Sequence, residues 1–484
     1  NLIVSPTASY QITMPNSDLE IFQNMTVNGS TGTSDVALND ASQKYLTVFG
    51  YLLVNGGRFR FKNTNAQTLN VYGDASVNNG ATIDVSTSGS ILHTFNLYGN
   101  LTVNGTVDLN ANSDVNLNMI GSTATSILGT NAAATFDIYK LNINKGNSQA
   151  IVVDATMAGG LSSTQDSWLV LTNGTFRYSK GSTITLTSGS NVSYTIPSTA
   201  KLAVNNSAAI VNIGQNNSGG SDLVIGGALE IIDGTVNVGN AAYTSHNDIE
   251  YTPTDAPSIE VKNNGVLNVN GQIRRSVFSL QGSLTYTQSG NSTVLIRGKN
   301  PDGSGSFNLD RAKFEILNEG SAFNMSDNSL LIIDKTGLAS TMFGDIYLTP
   351  ASYNIVGGEI RVGTGNTGAA MVFNMTATNP FWNLTVDGTT TTKTLNNQTN
   401  ATTILNVLNI DGNSIFKANG LDITVGGNFI NKNNSSATGI NSGGYQPGSN
   451  SQTTYLNGSL GDQTLTGFTG NLTNFANLVI NNTY

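Results

Sequence analysis

The chain has no cysteine among its 484 residues. Disulfides and thiolate metal centres are therefore excluded. Histidine is nearly absent too: His93 and His246 are the whole supply. A Ser-His-Asp set has little to draw on, and a two-histidine metal site would need these distant residues to converge. Both read as solitary polar residues near turns. Charged residues make up 11% of the chain, with a net charge of −9, against a usual share of about 25%. No basic cluster exceeds Arg274-Arg275, so the basic stripe that nucleic-acid binding needs is missing. No apolar run approaches the ~20 residues of a membrane-spanning helix, and no transmembrane segment is expected. Proline occurs nine times. It gathers in "YTPTDAP" (251–257), "KNPDGSGS" (299–306) and "GGYQPGSN" (443–450), which read as loop excursions. A sustained helical period is lacking. "LSSTQDSWLVL" (161–171) and "LDRAKFEIL" (309–317) come nearest, and the second also reads as a strand.

What is present in excess is amide and hydroxyl. Asparagine is about one residue in seven, and Ser, Thr and Gly are abundant. Such side chains suit turns and stacked ladders better than helix interiors. Hydrophobic residues reach 38%, enough for a continuous but narrow core.

One phrase recurs. It reads "LTVFGYLLVNG" at 46–56, "LNVYGDASVNNG" at 69–80, "FNLYGNLTVNG" at 95–105, "LVIGGALEIIDG" at 223–234, "FSLQGSLTYTQSG" at 278–290 and "LDITVGGNFINKNN" at 421–434. The frame is two short alternating apolar runs around a glycine, then a turn rich in Asn or Asp. The glycines are Gly50, Gly73, Gly99, Gly227, Gly282 and Gly427. The first three recur at about 23 to 26 residues, a solenoid-like period. Physically, two strands meet at a bend where a side chain would strike the neighbouring rung. One rung cannot bury its inward face alone, but a stack can. The expectation is all-β: one continuous right-handed parallel β-helix (β-solenoid) over 1–484, with rungs of about 20–26 residues. Tandem β-sandwiches are the alternative. Leu97, Leu101 and Val103 should point inward over Val71, Ala75 and Val77. Asn55, Asn78 and Asn104 should share a corner in left-handed or bridge conformations and cap the next rung.

A second phrase marks sectors starting near 138, 381 and 475: "IYKLNINKG", "FWNLTVDG" and "FANLVINN". With "YLNGSLGDQTLTG" (455–467), it resembles a pattern in large surface proteins of bacteria that use type IX secretion, and in archaeal surface repeat proteins. That resemblance implies a β-solenoid stalk or adhesin at the cell surface. The chain starts at Asn1 and stops at Tyr484, just after an opening phrase. This leads us to expect a processed chain or a piece of a longer one.

Parallel β-helices also include polysaccharide lyases, which resemble one another in grouped carboxylates with a basic partner. The groups available here are Asp108 with Asp114, Glu359 with Arg361, and Asp310, Arg311 and Glu315. Each reads better as outward polarity of a strand or turn. Trp168 and Trp382 are the two large aromatic platforms, and Trp382 is expected in the core. Calcium repeats, an EF-hand and a P-loop are missing. No catalytic residue, metal or cofactor is expected. The leading reading is a non-catalytic extracellular structural or adhesive protein, a stalk presenting loops to a glycan or surface. A carbohydrate-active enzyme and a self-assembling filament, sheath or surface-layer subunit are the alternatives. Copies are expected to associate end to end.

Overall fold

Apolar residues two apart, in stretches of three to six, can bury one face of a strand only if a neighbour continues that face. In this chain the neighbour is the same segment one turn later. The computed structural model describes residues 1–484 apart from 8–9, 31–33, 39–43, 63, 218–219, 245, 253, 277–282, 300–311, 318–319, 335–342, 365–368, 390, 460, 470 and 484. Every regular element among the described residues is a strand, and no helix is present. The strands pair in parallel and stack in about 16 coils, a β-solenoid. Antiparallel sandwiches are thereby ruled out through 46–105.

The chain divides into two compact units. The first comprises residues 1–187 and 195–211, the second 188–194 and 212–484.

In the first unit a coil is three strands. One is Gln67–Val71, Ala75–Val77 and Thr82–Val85; the next is Leu92–Leu97, Leu101–Val103 and Thr106–Asp108. Leu97 sits on Val71, Leu101 on Ala75 and Val103 on Val77, all six fully buried, as the alternation predicts. Burying each Leu or Val contributes about 1.5–3 kcal/mol. Gly50, Gly73 and Gly99 stack at the bend between the first and second strands. Gly73 N–H donates to the Gly50 carbonyl at 3.0 Å. A Cβ on Gly73 would lie 2.7 Å from that oxygen, and one on Gly99 would collide with the Gly73 carbonyl. The glycine is therefore a requirement of close approach.

A ten-stranded parallel sheet has nine of its strands in the second unit. Leu223–Ile225, Ile249–Tyr251, Ile273–Arg275, Phe314–Ile316 and Ile346–Leu348 are consecutive members. Gly227 occupies the bend between Leu223–Ile225 and Ala228–Val238, and its carbonyl accepts from Ser258 N–H at 2.9 Å. Gly427 presses on the Asn406 backbone. Gly282 lies outside the described residues, as do Asp310 and Arg311.

Several expectations need correction. Asn55, Asn78 and Asn104 are not left-handed. Gly57 (φ 66°) and Gly80 (φ 79°) take that conformation instead, and Asn55 lies within the strand Leu52–Gly56. Asn55 is extended, and its amide reaches along the stack to Asn28. Neither helical candidate forms a helix: Leu169–Leu171 and Phe314–Ile316 are strand segments. "GGYQPGSN" is more than an excursion, since Tyr445-Gln446 is a paired strand with Tyr445 fully buried. Coil spacing exceeds the expected range where excursions intervene, with 37 residues between Thr287 and Asn324 and 41 between the paired Ile273 and Phe314. Trp382 is half-buried rather than a core residue, whereas Trp168 is buried and donates through Nε1 to the Thr185 carbonyl at 2.8 Å.

Candidate functional site

The residue before each bend glycine in the first unit points outward. These residues are Phe49, Tyr72 and Tyr98, with Phe22 one coil earlier. Their rings stack: the centroids of Phe22 and Phe49 are 5.5 Å apart, Phe49 and Tyr72 5.2 Å, and Tyr72 and Tyr98 4.3 Å. Interplanar angles are 11°, 17° and 11°. The ladder faces water, with Phe22 77%, Phe49 41% and Tyr72 46% exposed. Burial, then the neighbouring Tyr72 hydroxyl, raises the Tyr98 phenol above its ordinary value.

Two residues back along each strand, on the same face by the period of two, runs a column of amides. Asn70 Nδ2 donates to Thr47 Oγ1 at 3.2 Å, Asn96 Nδ2 to Asn70 Oδ1 at 2.8 Å, and Asn118 Nδ2 to Asn96 Oδ1 at 2.8 Å. Asn142 continues the register and accepts from Thr172 Oγ1 at 2.8 Å. Each amide has a second N–H to offer. Stacking occupies the inner ring faces, so an incoming molecule meets ring edges, phenol hydroxyls and amides. The predicted corner forms a second ladder. Asn55 Nδ2 donates to Asn28 Oδ1 at 3.2 Å and Asn78 Nδ2 to Asn55 Oδ1 at 2.7 Å. Asn104 Oδ1 accepts Thr130 N–H at 2.8 Å.

The grouped carboxylates proposed from sequence are dispersed. Asp108 is half-buried and stacked between Asp84 and Asp137, on a seven-stranded parallel sheet that takes in the third strand of each coil, Thr82–Val85 and Thr106–Asp108 among them. Desolvation, and then the two flanking carboxylates, raises its pKa. Asp114 begins a different strand, Asp114–Gly121, and its pKa is also raised by burial. Glu359 and Arg361 pair with each other at 2.9 Å on one strand. Glu315 is fully buried and bound to Arg275 at 2.9 Å.

Sequence reasoning missed an ionic cluster in the second unit. Asp222 and Asp248 each precede a strand of the ten-stranded sheet, Leu223–Ile225 and Ile249–Tyr251, and stack in register. Asp222 Oδ1 accepts Asp248 N–H at 2.8 Å, and Asp248 Oδ1 accepts Gln272 N–H at 2.7 Å. Arg274 reaches Asp248 Oδ2 through Nε at 3.0 Å and Glu250 Oε1 through Nη2 at 2.5 Å. Burial and then the Asp248 charge push Asp222 up to about 7. Against its own burial, Asp248 is held below the ordinary value by Arg274 and His246. His246 was read as solitary, yet its Nδ1 lies 3.8 Å from Asp248 Oδ2. His93 is not near a turn either. It is fully buried in the strand Leu92–Leu97, and its Nδ1 accepts Gln67 N–H at 3.1 Å. The recurrence of Asp just before a short strand with apolar first and third residues, at 222 and 248, was the available signal.

The fold and these surfaces define a parallel β-solenoid repeat protein with an aromatic and amide outer face. Comparison with family models, curated proteins and solved structures finds no match to this chain.

Proposed function

We propose that the protein is a non-catalytic extracellular structural and adhesive repeat protein, and that the outer face of its first unit binds a neutral glycan. The observation that carries this reading is the exposed column Phe22, Phe49, Tyr72 and Tyr98 beside the column Thr47, Asn70, Asn96 and Asn118. Ring edges and Phe22's outer face supply apolar contact for sugar C–H groups. Amides and phenols supply paired donors and acceptors for sugar hydroxyls. Charge along both columns is confined to Glu20, in register with Thr47, which favours a neutral ligand over an ionic one. The extracellular setting rests on the surface-protein resemblance of the repeat phrases. The test is retention of the full chain on a panel of neutral polysaccharides, with Phe49→Ala and Tyr72→Ala variants checked for folding. Retention lost in both variants supports the reading. Equal retention in all three proteins, or in none, overturns it.

A further inference from the structure

We propose that Asp222, His246 and Asp248 form a binding site for one divalent transition-metal ion of the Zn²⁺ or Mn²⁺ type. One donor atom from each of the three side chains lies within 4.8 Å of the other two. His246 Nδ1 and Asp248 Oδ2 are 3.8 Å apart, too far for a hydrogen bond. The separation is close to the ~3.4 Å edge of a tetrahedron built on bonds of about 2.1 Å. Two carboxylates with an imidazole form the mixed oxygen and nitrogen set that suits these ions. The imidazole disfavours Ca²⁺ and Mg²⁺, which prefer oxygen alone.

The second support is the ring nitrogen itself. His246 Nδ1 is shielded from solvent and finds no hydrogen-bond partner. Leaving a buried polar atom in that state is unfavourable, and a metal ion would satisfy it. Charge gives a third support. Asp222, Asp248 and Glu250 bring three negative charges and Arg274 one positive, in a largely buried setting. With a neutral imidazole the remainder is −2, the charge a divalent ion cancels.

The carboxylates are held in place by contacts that leave room for a metal. Asp222 Oδ1 accepts one N–H; Asp248 Oδ1 accepts one N–H and Oδ2 one guanidinium N–H. Each oxygen keeps a second lone pair. Such outer contacts fix the orientation of metal ligands. Gly271 contributes by absence, since a Cβ there would strike Asp248 Oδ1. The rival explanation is that both aspartates serve only to cap the N–H of the next coil. His246 separates the two, because it takes no part in that capping.

The test is calorimetric titration of the EDTA-stripped full chain with ZnCl₂ and MnCl₂, with CaCl₂ for comparison. One equivalent of Zn²⁺ or Mn²⁺ per chain is expected, with Ca²⁺ weaker. His246→Ala and Asp222→Asn should each weaken binding at least about tenfold while leaving the far-UV circular dichroism unchanged. If Asp222→Asn unfolds, His246→Ala decides. A Co²⁺ derivative adds a ligand signature: its visible absorption should be lost in His246→Ala. His93 is fully buried in the other unit and does not compete for that signal. No binding at millimolar Zn²⁺ or Mn²⁺, or unchanged binding in the folded His246→Ala variant, overturns the proposal. Neither result bears on glycan binding by the first unit.

Discussion

Asn96 bridges the coils on either side of it: its Nδ2 donates to Asn70 Oδ1 at 2.8 Å, and its Oδ1 accepts Asn118 Nδ2 at 2.8 Å. One side chain thus ties three coils on the outer face. Asn96→Ala removes both bonds at a half-buried position. The expected cost is about 1–2 kcal/mol, read as a lower urea midpoint. Asn96→Asp should cost more at neutral pH, because a carboxylate cannot donate to Asn70 Oδ1, and part of the loss should return when the carboxylate is protonated by acid.

Gly73 and Gly80 predict two different failures. At Gly73 a methyl group would lie 2.7 Å from the Gly50 carbonyl oxygen. Backbone cannot yield there without parting two coils, so Gly73→Ala should misfold or lose more than about 3 kcal/mol. At Gly80 no atom lies within 4 Å of the place a methyl group would take, but φ is +79°. Gly80→Ala should cost only the left-handed penalty of about 1–2 kcal/mol. Thermal melts of the two variants side by side check the order.

Lys145 carries a pH signature. Its ammonium donates to the Ile120 carbonyl at 2.6 Å and the Tyr98 carbonyl at 3.1 Å, and burial lowers it to about 8 from 10.5. Between these values the unfolded chain binds the extra proton, so stability rises with pH above about 8. Raised tyrosines act in the opposite sense near and above their ordinary value of 10. The window to measure is therefore about pH 8 to 9.5. Lys145→Met should flatten the rise, as followed by urea midpoints across that range.

Arg275 and Glu315 are both fully buried, with Nε 2.9 Å from Oε1 and the guanidinium 4.7 Å from the Phe343 ring centroid. Arg275→Met strands a carboxylate in the interior and should cost about 3–5 kcal/mol. Adding Glu315→Leu should recover most of that loss. A double-mutant cycle by chemical denaturation measures the recovery.

The parts of this fold that were legible are those repeated within a few residues. Leu97, Leu101 and Val103 alternate around Gly99, and that local pattern contains the whole logic of bend and inward face. The aromatic column was legible in principle, since Phe49, Tyr72 and Tyr98 all precede the bend glycine, but its meaning depends on rings meeting across coils. The ionic cluster was harder to see. Arg274 finds Asp248 and Glu250 at sequence separations of 26 and 24, and Arg275 finds Glu315 at 40. Only the register brings such partners together. The asparagine corner was half legible: the amides of Asn55 and Asn78 do link successive coils, while the left-handed conformation belongs to Gly57 and Gly80.

The hydrogen bond from Asn96 to Asn70 spans 26 residues and that from Asn118 to Asn96 spans 22, yet both measure 2.8 Å. Thr287 and Asn324, 37 residues apart, still meet at 3.2 Å. Height along the stack is set by strand spacing of about 4.8 Å per coil, whatever length of chain each coil consumes. Chain added at a rim changes what the protein displays there and leaves its pitch alone. A new peptide inserted between two strands of a coil would therefore be carried at a fixed height, like a tag on a ruler, with the divisions above and below unmoved.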